Sequence, residues 1–166
     1  VTGIDHIDEE LCKKLGIQII CLRGEYEFLK TIRATAELTI ALALALYRNI
    51  TDAVLDTREG LWDRDKFRGR ELFNKKIGII GLGRLGAIVA DYFKLFGCEV
   101  TYYDIKDRLS REYKKHDSLH TLLEESDIVS IHVNYHQGNH VEHAIIVKSR
   151  LLYCSPCVQC LPLLDE

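Results

Sequence analysis

Three features of the sequence predict an α/β fold built on a doubly wound parallel sheet. The apolar run 77–80 has the composition of a strand buried on both faces, and it leads directly into Gly81-x-Gly83-x-x-Gly86. Beyond the glycines the period changes. Leu85, Ile88, Val89, Tyr92, Phe93 and Phe96 recur at the spacing of one helical face. Gly97 stands where a glycine ends a helix, and residues 98–103 read as a second strand that ends on Asp104.

Strand, glycine turn, helix, strand and acid form a unit in which each part has a task in dinucleotide binding. Gly81 permits the tight turn. Gly83 lets the backbone approach a pyrophosphate, and Gly86 lets helix and strand pack closely. The helix start presents N–H groups and partial positive charge to phosphate. Asp104 follows at roughly the 20-residue spacing at which a carboxylate accepts ribose hydroxyls. An acid there repels a 2′-phosphate and favours NAD over NADP, while Lys106 and Arg108 keep NADP open.

The chain has 166 residues, 47% hydrophobic and 28% charged, which suits one ordinary globular domain. Its net charge of −3 carries no electrostatic footprint for nucleic acid. No apolar run has the length of a membrane span, and the first residues lack the pattern of a signal peptide. Cys12, Cys21 and Cys98 stand among apolar neighbours and read as free thiols, so a cytoplasmic, reducing setting is expected.

In chain order, residues 1–4 read as a strand end and a turn. Asp8 is placed to cap a short helix that Gly16 closes, and residues 17–22 are β-rich and predict a strand. Residues 23–30 read as a polar crossing loop. A long helix is expected over 31–50, with segment 38–46 apolar nearly all round, so it must be buried on several sides. Burial inside one domain and a role shared with a subunit interface both satisfy that pattern. Residues 56–70 are charged and read as a surface excursion with Trp62 as a packing anchor. Residues 105–117 form a polar connection. Ser118 caps a helix carrying Leu119, Leu122 and Leu123, and 127–133 is another buried strand. The end of that strand places His132, Val133 and Asn134 near a bound cofactor. His132 is also readable as a core histidine with a satisfied hydrogen bond.

Several motifs together resemble the D-isomer-specific 2-hydroxyacid dehydrogenases, the family of D-3-phosphoglycerate dehydrogenase. Thr2-Gly3-Ile4-Asp5-His6-Ile7-Asp8 is similar to the family's T-G-V-D-N-I-D turn, and Ala34-Thr35-Ala36-Glu37 to its S-V-A-E helix start. Arg58-x-Gly60-x-Trp62 and Gly69-Arg70-Glu71-Leu72-x-x-Lys75 match its linker. Gly81-Leu82-Gly83-Arg84-Leu85-Gly86 is close to its G-L-G-R-I-G, and Ser126-Asp127-Ile128-Val129-Ser130-Ile131-His132-Val133 matches S-D-x-V-x-x-H-x-P. The resemblance implies an NAD-dependent oxidoreductase that moves a hydride between NAD(H) and a 2-hydroxy or 2-oxo acid. It implies that Gly3 and Ile4 give N–H groups to a substrate carboxylate and that Thr2 approaches the nicotinamide end. Arg84 and Leu85 would contact the pyrophosphate and Asp104 the ribose, with the backbone near Val133 lining the cofactor. The helix around residues 34–50 would form a homodimer interface.

The departures shape the expectation for this chain. His6 replaces Asn, and Asn134 replaces the Pro after His-Val. The family's Arg, on an N-x-A-R-G strand end, falls by spacing at about Pro162, where the sequence does not match, and no residue is assignable as its His or Glu. The expected organisation is a remnant of the substrate-binding domain at 1–30, an incomplete nucleotide-binding Rossmann domain at 31–135 and a divergent tail at 136–166, frame-shifted or foreign, in a chain cut at both ends. The tail holds His136, His140 and His143 and also Cys154, Cys157 and Cys160. Neither set has the context or the fourth ligand of a recognised metal site, so no metal is expected. A truncated, catalytically silent dehydrogenase is the leading expectation. The alternative is a non-catalytic NAD(H)-binding dimeric or regulatory module.

Overall fold

The computed structural model describes residues 4, 7–22, 24–106, 110, 112–133, 143–147 and 150–153. It divides into two units, Val1–Arg33 and Ala34–Glu166.

In the first unit, Asp8 accepts a hydrogen bond from the Leu11 N–H at 2.9 Å and so caps α1 (Glu9–Lys14). The helix closes as the sequence predicts. Gly16 adopts φ +69°, its N–H donates to the Lys13 carbonyl, and the Ile17 N–H reaches back to the Cys12 carbonyl at 2.9 Å. Residues 17–22 are not a strand. Their β-branched composition is there, but no described strand lies beside them to complete a ladder, and Ile20 is 90% exposed. The expected polar loop instead contains one short helix, α2 (Tyr26–Lys30).

The second unit begins with α3 (Ala34–Tyr47). Ala36, Ile40, Ala43 and Tyr47 form its buried stripe, and Leu42, Leu44 and Leu46 pack partly against the same core. The expected single helix to residue 50 is in fact two helices. Asn49 turns left-handed at φ 52°, and α4 (Ile50–Arg58) starts afresh. The returning chain seals the break: the Arg70 N–H donates to the Tyr47 carbonyl at 2.7 Å, and the Asn49 side-chain amide donates to the Arg68 carbonyl. Trp62, expected as a packing anchor, is 88% exposed among the described residues.

The sheet then forms in the order β3-β2-β1-β4-β5-β6. Its strands are β1 (Lys76–Ile80), β2 (Glu99–Tyr103), β3 (Lys114–Lys115), β4 (Ile128–His132), β5 (His143–Val147) and β6 (Arg150–Tyr153), with α5 (Arg84–Leu95) crossing from β1 to β2 and α6 (Leu119–Glu125) leading into β4. β3, β2, β1 and β4 are parallel; β5 and β6 extend the sheet antiparallel. Ser118 caps α6 as expected, accepting from the Thr121 N–H at 3.2 Å. Ile77, Ile79, Val89, Phe93, Tyr102 and Ile128 are fully buried where β1, β2, β4 and α5 meet. Each such side chain is worth roughly 1.5–3 kcal/mol by burial, so this cluster is what holds the glycine turn in place. Cys98 joins the core, donates to the Leu72 carbonyl at 3.1 Å, and has its thiol pushed up to about 11 by burial, so it stays a neutral thiol. Among the described residues no single helix is long and apolar enough to cross a membrane.

Candidate nucleotide-binding site

β1 lies between β2 and β4; the chain runs outward from β1 to β2 and β3 and then returns to β4, so the strand order reverses at β1, and the crevice that such sheets form outside the carboxyl ends of their strands falls beside β1 and β4. Gly81 occupies the end of β1 with φ +88°, where L side chains are strained. Its N–H donates to the Tyr103 carbonyl at 2.9 Å, tying it to the end of β2. On the other flank a Cβ at Gly81 would run into the His132 carbonyl and come within 3.1 Å of Val133 Cγ1. Three strand ends therefore converge on one glycine.

Gly86 sits in the first turn of α5, and a Cβ there would collide with the Gly81 carbonyl oxygen. This is the close helix-to-strand approach that the motif predicts. Gly83 is the N-cap of α5, in extended backbone (φ −76°, ψ −163°) that any residue adopts, and it supplies no side-chain cap. The turn thus leaves the helix start to an acceptor from outside the motif. Arg84 is the first residue of α5. The Leu85 side chain packs partly against the core.

Asp104 is brought to the same place. Its Oδ2 accepts from the Leu82 N–H in the glycine turn at 2.9 Å, and its Oδ1 accepts from the Lys106 N–H at 2.8 Å. A carboxylate has about four acceptor positions, so two such bonds fix it and leave capacity for hydroxyl donors. The residue that sequence reasoning missed is Leu82, whose backbone clamps the acid. Its side chain gives no signal, because the contact is made by a main-chain N–H.

His132 resolves toward the core reading for its side chain. It is only 8% exposed, and its Nε2 lies 2.8 Å from Ser130 Oγ. Residues two apart on a strand share a face, so this pairing was available from the sequence. What His132 offers the crevice is its carbonyl, beside Gly81. Val133 follows at the rim. Ile4 is buried in the first unit. Thr2, Gly3 and Asn134 lie outside the described residues, as do Cys154, Cys157, Cys160, His136 and His140; His143 opens β5, opposite His132. Among the described residues no three His, Cys, Asp or Glu stand together as a metal site.

A parallel sheet with a glycine turn between strand and helix, and an acid at the end of the next strand, defines a dinucleotide-binding α/β domain. The sequence model for the D-isomer specific 2-hydroxyacid dehydrogenase NAD binding domain matches residues 40–152, and the chain belongs to this family. It is 40% identical over 140 residues to a glyoxylate reductase of Thermofilum pendens, covering 80% of this chain and 40% of the relative. It is 40% identical over 135 residues to a D-3-phosphoglycerate dehydrogenase of Archaeoglobus fulgidus, covering 80% of this chain and 25% of that one. The structure of D-lactate dehydrogenase from Aquifex aeolicus, complexed with NAD and lactic acid, superposes with a TM-score of 0.68 at 34% identity, covering 82% of this chain and 40% of that one. The chain therefore spans less than half the length of these relatives. The match through residue 152 takes in β5 and most of β6.

Proposed function

We propose that this chain is the nucleotide-holding part of a D-2-hydroxyacid dehydrogenase. The observation that carries the reading is the Asp104 clamp: one carboxylate, bonded to the glycine turn through Leu82 and placed at the end of β2. In this reading the backbone of Gly81, Gly83, Arg84, Leu85 and Gly86 holds the pyrophosphate. Asp104 accepts the adenosine ribose hydroxyls. The backbone of His132 and Val133, with Asn134, lines the side toward the nicotinamide. NAD(H), when bound, supplies or accepts the hydride at C2 of a 2-hydroxy or 2-oxo acid. The roles of Thr2, Gly3 and Ile4 toward the substrate carboxylate rest on resemblance to the family.

Reduction of a 2-oxo acid also needs a proton donor for the carbonyl oxygen. Among the described residues none is assigned to that task, since the His132 side chain is engaged by Ser130. Purified chain is therefore expected to bind NADH yet show no substrate-dependent NADH oxidation with hydroxypyruvate, glyoxylate or pyruvate. A steady absorbance loss at 340 nm above the no-substrate rate would overturn this catalytic assignment.

A homodimer is part of the proposal. α3 and α5 leave an apolar groove of about 470 Å³, with Ile40, Ala41, Leu44, Tyr92, Leu95 and Phe96 in its walls. A second copy laid along α3 would cover it. Leu44→Glu is expected to convert the dimer to monomer by light scattering, and an unchanged mass would remove α3 from the interface. The same exposed face supports the second reading, a non-catalytic NAD(H)-binding dimer. NADH-dependent dimerisation without turnover would favour it.

A further inference from the structure

We infer that Tyr113, held by Asp91, is a positioning residue for the adenosine half of the dinucleotide, an inference that rests on the nucleotide reading above. Tyr113 stands just before β3, half-buried against the core. Its hydroxyl donates to Asp91 Oδ1 at 2.5 Å, on α5 two turns beyond the glycine end. Lys94, one turn further along that helix, places its Nζ 5.5 Å over the Tyr113 ring and 3.8 Å from Glu112. Ser110 continues the connection. Its hydroxyl accepts from the Glu112 and Tyr113 N–H groups at 3.1 and 3.2 Å, and its own N–H donates to the Tyr102 hydroxyl at 3.0 Å. Tyr102 is fully buried in β2, two residues before Asp104.

These bonds form a closed path: α5 through Asp91 to Tyr113, to Ser110, to Tyr102, along β2 to Asp104, and through Leu82 back to the start of α5. In the nucleotide reading the two ends of the path hold different parts of one ligand. The start of α5 faces the pyrophosphate and Asp104 faces the ribose. The path fixes the spacing between them. Burial and the Asp91 hydrogen bond both raise the Tyr113 hydroxyl above its ordinary range, so it stays a donor throughout the working pH range. A phenylalanine would fill the same space, so the hydroxyl's contribution is separable from packing.

The test is titration of the full 166-residue chain with NADH and with ADP-ribose, alongside melting curves, for wild type, Tyr113→Phe, Asp91→Ala, Asp91→Asn and the Tyr113→Phe/Asp91→Ala pair. Both single removals are expected to weaken NADH and ADP-ribose about five- to tenfold, less than the loss of a charged hydrogen bond made to the ligand itself, because this bond acts through spacing. The pair should be no weaker than either single change, because both remove the same bond. Asp91→Asn keeps an acceptor oxygen and should bind within about twofold of wild type. A fall in melting temperature with unchanged affinities would make the network merely structural and overturn the inference. A wild-type chain that binds neither ligand overturns the nucleotide reading itself, and this inference with it.

Discussion

Gly86→Ala is expected to lower the melting temperature of this chain and weaken NADH binding in the same variant. On an exposed helix the substitution would stabilise by up to about 1 kcal/mol through helix propensity. Here the added Cβ would meet the backbone carbonyl of Gly81, with Ile79 Cγ2 at 3.3 Å behind it. Neither group is the far end of a flexible side chain. Either α5 tilts away from β1 or the turn opens. Overpacking of this kind costs about 1–3 kcal/mol, and the clash with backbone puts it at the upper end, so the net loss is expected to be roughly 5 °C in Tm. Because the shift moves the helix start relative to the turn, NADH affinity falls with it. Differential scanning fluorimetry and a fluorescence titration check both; an unchanged Tm would mean that α5 does not approach β1 as closely as described.

Asp104→Ala should have the largest effect on the ligand. It removes the acceptor of the Leu82 and Lys106 N–H groups as well as the proposed acceptor of the ribose hydroxyls. Hydrogen bonds to a charged group are worth about 1.5–3 kcal/mol, so NADH affinity is expected to fall by about 10- to 100-fold. Asp104→Asn keeps one oxygen for Leu82 but loses the charge that repels a 2′-phosphate. It should therefore bind NADH with intermediate affinity and shift the NADPH-to-NADH affinity ratio toward NADPH. Equal NADH affinity in wild type and Asp104→Ala would remove Asp104 from the site.

The parts of the fold that were legible in the sequence are those set by local pattern. The run 77–80, the glycines, the helical face from Leu85 and the strand before Asp104 each announce themselves within a few residues, and α5, β1 and β2 form where these patterns lie. The caps Asp8, Gly16 and Ser118 were readable for the same reason. The failures were long-range. Residues 17–22 have strand composition, yet strand formation needs a neighbour that composition does not supply. The long helix breaks at Asn49 because residues 68–70 return to bond with its end, a contact that no periodicity within 31–50 foretells. Trp62 has the type of a packing anchor, yet among the described residues it is exposed, because burial depends on what lies beside it and not on residue type. At the site, side-chain chemistry was legible and main-chain chemistry was not: Asp104 stood out, while the Leu82 N–H that holds it did not.

In the proposed function one crevice, bounded by the glycine turn, Asp104 and the end of β4, holds the nucleotide. The most direct measurement is an amide ¹H–¹⁵N spectrum of the labelled chain recorded through an NADH titration. Saturable shifts are expected to concentrate at Gly81 to Gly86, Asp104 to Lys106 and His132 to Val133, with α4 unmoved. Saturable shifts centred elsewhere, or none at millimolar NADH, would contradict the proposed function.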